Sequence, residues 1–223
     1  MKRLILLRPQ PAAGRTADKA AAMGFDVRLH PLFAPRAVAW TPPPAGELDA
    51  LLLTSAHGVR MAGDELRIYR ALPAYAVGAA TARALCEAGF ADVTAGDSDG
   101  SAIAARIAAD GHRRVLHLAG TTVAPLEAGP LGIIRVAVYT MTALPPDPAL
   151  AADATAGAVV LVHSPRAGRL LADRIGPAAR GTLHLVAISD ATLKACGGGW
   201  ASAHAPDRPD DDDMLALARA LCE

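Results

Sequence analysis

Short apolar runs alternate with longer alanine-rich stretches, and this alternation organises the chain. Arg3 to Leu7 predicts a strand. Pro11 to Met23 predicts a helix, with a proline at its start and Gly24 just past its end. Ala50 to Leu53 and Ala74 to Val77 predict strands. Helices over Ala56 to Tyr69 and Thr81 to Ala88 follow them, the second closed by Gly89. Ser101 is placed as the N-cap of a helix reaching Asp110. Val115 to Leu118, Ile133 to Tyr139, Ala158 to Val162 and Leu183 to Ile188 predict further strands, and a last helix runs from Met214 to Cys222. Strand–helix units in series predict an α/β fold built on parallel sheets.

Two stretches break the alternation. Leu29 to Pro44 carries prolines at 31, 35, 42, 43 and 44, and Thr140 to Pro148 carries them at 145, 146 and 148. Proline-rich segments between compact blocks predict linkers. They set off an N-terminal βα unit, a block over 45–138 and a C-terminal block from about 149.

The blocks also repeat. Leu53-Thr54-Ser55-Ala56-His57-Gly58-Val59 resembles Val162-His163-Ser164-Pro165-Arg166-Ala167-Gly168, with the serines 109 residues apart. Ala76-Val77-Gly78-Ala79-Ala80-Thr81 resembles Ala187-Ile188-Ser189-Asp190-Ala191-Thr192, with the threonines 111 apart, and Leu4 to Leu7 matches Val115 to Leu118 at 111 again. Three correspondences at nearly one offset predict a duplicated α/β domain.

Composition narrows the function. With 223 residues, 52% of them hydrophobic and a mean hydropathy of +0.26, there is ample material for packed cores, which excludes a disordered chain. Lys and Arg number 22 and so do Asp and Glu, which excludes a global basic field for nucleic acid or an anionic membrane. No apolar run approaches the roughly 18 residues of a membrane span. Arg8 and Pro9 end the N-terminal apolar stretch too early for a signal peptide. Cys86, Cys196 and Cys222 are far apart and form no Cys-x-x-Cys, so free thiols in a reducing cytoplasm and no zinc site are expected.

Candidate chemistry lies where strands end. In both halves an apolar strand runs into a small residue and then a helix, at Ser55, at Gly78 to Thr81, at Ser164 and at Ser189 to Thr192. Helix N-termini there offer unpaired N–H groups and a partial positive charge to an anion. Plain N-capping explains any single serine. The repeated set points to a polyanion large enough to be held by both halves. Other features carry less. Ser55 with His57 has no Gly-x-Ser-x-Gly elbow for a hydrolase, and Gly78-Ala79-Ala80-Thr81 lacks the dinucleotide glycine pattern. Cys196-Gly197-Gly198-Gly199 reads as a helix stop. Asp210 to Asp213 favours the dipole of the helix it precedes, and the histidines show no metal spacing.

Taken in order, Leu7-Arg8-Pro9, the Ser55 and Gly78 motifs with Gly89-Phe90, Val115-Leu116-His117-Leu118, Val138-Tyr139-Thr140, His163-Ser164-Pro165-Arg166 and Ala187 to Thr192 resemble the uroporphyrinogen-III synthase family over essentially the whole chain. The resemblance implies two flavodoxin-like parallel-sheet domains joined by a two-stranded β-ladder linker. Domain 1 takes 1–33 and 144–223, domain 2 takes 40–138, and the linker strands are about 34–39 and 139–143. It implies a cofactor-free, metal-free lyase; the free cysteines predict a cytoplasmic protein, and the lack of a long exposed apolar stripe predicts a monomer. The substrate is hydroxymethylbilane, a linear tetrapyrrole with eight carboxylates, received in a transient hand-over from the bilane-forming enzyme. The terminal hydroxyl leaves as water, ring D is inverted through a spiro intermediate, and uroporphyrinogen III results; the uncatalysed substrate closes without inversion. Tyr139 matches the family tyrosine and is the catalytic candidate, donating a hydrogen bond to the departing hydroxyl. Arg8, Ser55, His57, Gly78, Thr81, Ser164, Arg166, Ser189 and Thr192 are the substrate-binding candidates. The chain departs from the family at Ala119-Gly120, where relatives often carry Arg-Gly, and at Ser189 and Leu193 against Gly78 and Ala82 of its own first half. The missing arginine keeps a second reading open, a non-catalytic two-domain protein that binds a tetrapyrrole or another anion.

Overall fold

A computed structural model describes residues 3–96 and 99–221. In chain order the first elements are β1 (Arg3–Leu6), α1 (Ala12–Ala22), β2 (Asp26–Leu29), β3 (Phe33–Ala37), β4 (Ala50–Leu53), α2 (Ala56–Met61), β5 (Ala74–Val77) and α3 (Ala79–Glu87). Next come β6 (Val93–Gly96), α4 (Gly100–Ala109), β7 (Arg114–Gly120), β8 (Gly132–Ala143), α5 (Pro148–Asp153), β9 (Val159–Val162) and α6 (Pro165–Arg174). The chain finishes with α7 (Pro177–Arg180), β10 (His184–Ala187), α8 (Asp190–Ala195), β11 (Ser202–His204) and α9 (Asp211–Ala220). The architecture is α/β. The chain divides into two compact units, Met1–Ala34 with Ala143–Glu223, and Pro35–Thr142.

The first unit holds a five-stranded sheet in the order β11-β10-β9-β1-β2, parallel throughout. Leu4 to Leu6 and Val159 to Val162 are wholly buried because helices cover both faces of such a sheet. Leu4, Leu6, Val159 and Leu161 pack with Ala20 of α1 and with Met214, Leu215 and Ala218 of α9.

The second unit holds a six-stranded sheet in the order β3-β8-β7-β4-β5-β6, in which β8, β7, β4, β5 and β6 are parallel. Leu51, Leu53, Leu116, Leu118 and Val138 pack on one face against residues of α2 and α3, among them Val59, Ala84 and Leu85. Ala50, Leu52, Tyr75, Val115 and Leu131 pack on the other against Ile103, Ala104 and Ile107 of α4. The N–H of Val38 donates to Val138 O at 3.0 Å and the N–H of Leu144 to Leu32 O at 2.9 Å. The numbers fall on one segment as they rise on the other, so these proline-bearing stretches run antiparallel.

Both sheets express the repeat. Shifted by its offset, β9, β10, β11, β1 and β2 stand in the same spatial order as β4, β5, β6, β7 and β8. One element has no counterpart. In the first unit Arg3 pairs with Asp26, 23 residues on, and α1 fills the crossover. In the second unit Arg114 pairs with Gly132, only 18 residues on, and the segment 121–131 carries no helix.

Some elements depart from the sequence-based expectation. The helix predicted over Ala56 to Tyr69 ends at Met61, and a 3-10 turn occupies Asp64–Tyr69. Asp99, not Ser101, caps α4, its carboxylate accepting from the N–H groups of Ser101 and Ala102. The Ser101 hydroxyl accepts from the Glu127 N–H and pins the crossover instead. The last helix starts at Asp211, inside the acidic run. Cys222 lies outside the described residues.

Leu161 lies in the centre of its sheet with no exposed surface. Leu161→Ala is expected to cost about 3 kcal/mol through lost burial and a residual cavity. Chemical denaturation followed by circular dichroism checks this, and a loss below about 1 kcal/mol contradicts the packing.

Candidate functional site

Side chains are committed to apolar packing along the buried strands, so polar groups gather at the carboxyl ends, where each strand turns into a helix. In the second unit, Ser55 caps α2 with its hydroxyl accepting from the His57 N–H at 3.2 Å. Gly78 caps α3 at φ +79°, a left-handed conformation that favours glycine. Thr81, two residues into that helix, is buried, and its N–H donates to Gly78 O.

Tyr139 on β8 belongs to the same unit. Its ring stands over Gly120, where a Cβ would lie 2.9 Å from Tyr139 Cζ and 3.1 Å from its hydroxyl oxygen. Only a residue without a side chain leaves the ring that position. The His57 ring lies at 5.8 Å between centroids, tilted by 54°. Burial, and then the nearby Arg60 charge, lowers the His57 pKa, so its imidazole is neutral at pH 7. Two residues singled out separately in the sequence are thus neighbours. Among the described residues the Tyr139 hydroxyl has no hydrogen-bond partner.

In the first unit, Ser164 caps α6, accepting from the Ala167 N–H at 3.2 Å. Ser189 caps α8, with Thr192 N and Thr192 Oγ1 at 3.4 and 3.2 Å from its hydroxyl. Thr192 is completely buried, so its side chain secures the helix start and is not presented at the surface. Arg166 lays its guanidinium over the Phe33 ring, 4.4 Å from the centroid.

Arg8 is already paired. Its Nη1 lies 2.7 Å from each carboxylate oxygen of Asp211 and 3.1 Å from Thr16 Oγ1, and the Thr16 hydroxyl donates to Asp211 at 2.6 Å. His163 Nε2 is 3.2 Å from Asp211 Oδ1, off the angle a hydrogen bond needs, and both ring nitrogens are buried without hydrogen-bond partners. Burial alone would raise the Asp211 carboxyl, but His163, Thr16 and the Arg8 charge overcome it and hold it well below the usual carboxylate range. Burial pushes the His163 imidazole down despite Asp211.

The sequence reading left Thr16, His163 and Asp211 out of the site and gave the acidic run one task. The run divides its work. Asp210 caps α9, Asp211 enters the network, Asp212 pairs with Lys19 at 2.6 Å and Asp213 with Arg208 at 3.0 Å. The signal for Asp211 was a lone arginine at the end of an apolar strand, which needs a counter-charge once partly buried. Ala119, at the position of Arg8 in the repeat, is buried and brings no charge. No group of three or more His, Cys, Asp or Glu side chains among the described residues is placed to hold a metal, and no described helix is long and apolar enough to cross a membrane.

Asp211→Asn is expected to lower stability at pH 7 by about 2 kcal/mol, the scale of hydrogen bonds to a charged group. A depressed folded-state pKa stabilises above the unfolded value near ~3.9 and fades as pH falls below it. The difference between wild type and variant should therefore be flat from about pH 5 to 7 and shrink below about pH 4. Urea denaturation over that range tests it; a constant difference in acid excludes the ionic network as the cause.

The family model described as HEM4, uroporphyrinogen-III synthase HemD, matches residues 14–216. The structure is similar to the crystal structure of uroporphyrinogen-III synthetase from Helicobacter pylori, at 15% identity and a TM-score of 0.69, over 99% of this chain and 100% of that one. It also matches a mutant uroporphyrinogen III synthase from the extremely thermophilic bacterium Thermus thermophilus, at 20% identity and a TM-score of 0.48, over 99% of each chain. A search of curated proteins gives no match.

Proposed function

The chain belongs to the uroporphyrinogen-III synthase family, and from that premise we propose how its residues share the reaction. The enzyme is a cyclising lyase that closes hydroxymethylbilane with loss of water and inversion of ring D, giving uroporphyrinogen III. The family match over residues 14–216 is the observation that carries this function, and it leaves the non-catalytic reading unfavoured.

Two flavodoxin-like domains, 1–33 with 144–223 and 40–138, are joined by a ladder of strands near 34–39 and 139–143. The compact units and the matching strand orders support this division. Carboxylates of the bilane are taken by the helix starts at Ser55, Gly78, Ser164 and Ser189, through N–H groups of the first turn that have no helical partner. Thr81 and Thr192, buried behind two of these starts, hold them in shape. Arg166 and His57 flank their serines as a cation and a neutral donor. Arg8 contributes through donors not spent on Asp211, so its pull on a carboxylate is smaller than that of an unpaired arginine. Tyr139 donates to the departing hydroxyl. Help of this kind from one positioned proton donor is worth roughly 10²-fold. Most of the rate and all of the isomer choice come from fixing the chain's two reacting ends, converting a floppy closure into one geometry. The protein works in the cytoplasm as a monomer that takes the bilane from the enzyme that forms it.

Turnover of freshly made hydroxymethylbilane with isomer analysis tests the reading. The wild type is expected to give the type III isomer, and type I alone would sink the synthase assignment. Tyr139→Phe is expected to lose between about 10- and 100-fold in kcat with type III still the product; unchanged kcat removes Tyr139 from the chemistry.

A further inference from the structure

The helix missing from the second unit leaves a space of defined chemistry. In the first unit α1 and α9 cover the sheet face carrying Leu4 and Leu6. The repeat offset puts Val115 at Leu4 and His117 at Leu6. Over that face the second unit has α4 and the helix-free crossover 121–131. An open-sided cavity of about 330 Å³ lies there, a volume at the lower end of small-molecule sites. Its walls are Val123, Pro125, Leu126 and Ile133, with His117 and Arg135 as its polar members. Strand register sets His117 beside Arg135 and Val115 beside Ile133 on one face.

His117 is 1% exposed. Its Nε2 faces Thr54 Oγ1 at 3.3 Å, and its Nδ1 is buried with no partner. Burial, and then the Arg135 charge, pushes its pKa down to about 4, so the ring is neutral at pH 7. In the tautomer that accepts the Thr54 hydroxyl at Nε2, Nδ1 carries the single ring proton and is a donor with nothing to donate to; in the other, Nε2–H donates to Thr54 and Nδ1 is an unpaired acceptor. Either is costly to bury without a partner. Arg135 is exposed and makes no ion pair among the described residues. In the first unit Leu6 stands at the place of His117 and Leu29 at that of Arg135, and Leu6 packs in the core with Ala20 of α1.

We propose that this cavity binds a small monocarboxylate with an apolar body, of about benzoate size, at a site separate from the synthase chemistry. The apolar part occupies the space α1 takes in the other copy, Nδ1–H of His117 donates to one carboxylate oxygen, and Arg135 faces the charge from the rim. Because the readout is binding, the proposal stands or falls apart from the synthase reading.

Benzoate titration of the full chain, observed through the histidine ring nitrogens and, in the variants too, through the benzoate proton signals by NMR, tests it, with benzamide as the uncharged control. A saturable shift of the His117 signals is expected at a dissociation constant near ~1 mM. His117→Leu, which copies Leu6, is expected to abolish binding while raising Tm by about 2–4 °C as the unpartnered nitrogen is removed. The exposed Arg135→Gln should weaken benzoate at least ten-fold and leave Tm unchanged. No saturable shift up to about ten times the expected constant overturns the proposal. So does equal affinity for benzamide, or undiminished binding in either variant.

Discussion

A parallel sheet with helices on both faces has one edge at which polar chemistry can be carried. Along β1, β4 and β9 consecutive side chains are shut away from water on both faces, so an unpaired polar group there costs its full desolvation. At the carboxyl ends the constraint relaxes, because the first N–H groups of the next helix have no helical acceptor and draw polar groups toward them. Ser55, Gly78, Ser164 and Ser189 all stand at this edge. His117, set back within a strand, keeps the constraint, and its orphaned nitrogen measures how unusual it is.

Duplication makes each unit a control for the other. In open α/β sheets the crevice forms where strand order reverses, which falls between β1 and β9 in one unit and between β7 and β4 in the other. The first unit packs this place with the Arg8–Asp211 ion pair and, beside it, the buried His163 imidazole. The second has Ala119, Thr54 and Gly100 at the corresponding positions. Leu126 of the crossover lies close over Gly100, where a Cβ would be 3.3 Å from Leu126 Cβ. The shorter crossover carries no helix, and the ionic network has no equivalent there. One fold thus keeps its strand order while the same corner is ionic in one copy and apolar with a single buried imidazole in the other.

The sequence exposed what burial dictates. The interior strands were legible because parallel pairing demands continuous apolar runs, as in Leu51 to Leu53 and Val159 to Val162. The edge strands β2, β6 and β11 were not, since they are half-exposed and short, and residues such as Asp26, Arg28 and His204 carry no alternating pattern. Serine caps were legible from local spacing, whereas the Asp99 cap lost to a neighbouring serine that local rules favour equally. Of the site, Tyr139 and His57 were legible one at a time; their proximity depends on Gly120, and contact across strands is not written in local spacing. The partnership of Arg8 with Asp211 spans 203 residues, beyond any periodicity argument.

The Arg8 pair also bears on how a chain of zero formal charge holds an octa-acid. An arginine bound to an aspartate with a depressed pKa presents little net charge, and the position that could have held a second arginine is Ala119. Attraction at long range is therefore weak, and steering by a broad basic surface contributes little. The binding proposed for the helix starts is short-ranged, through N–H groups fixed by caps and carrying roughly half an elementary charge per helix. Such donors are preorganised, and they discriminate by the spacing of carboxylates more than by their number. For a reaction whose difficulty lies in choosing one of two ring closures, spacing is the property that matters. On the proposed binding mode, the neutral chain, the buried threonines behind the caps and the glycine under Tyr139 all serve rigid placement over raw affinity.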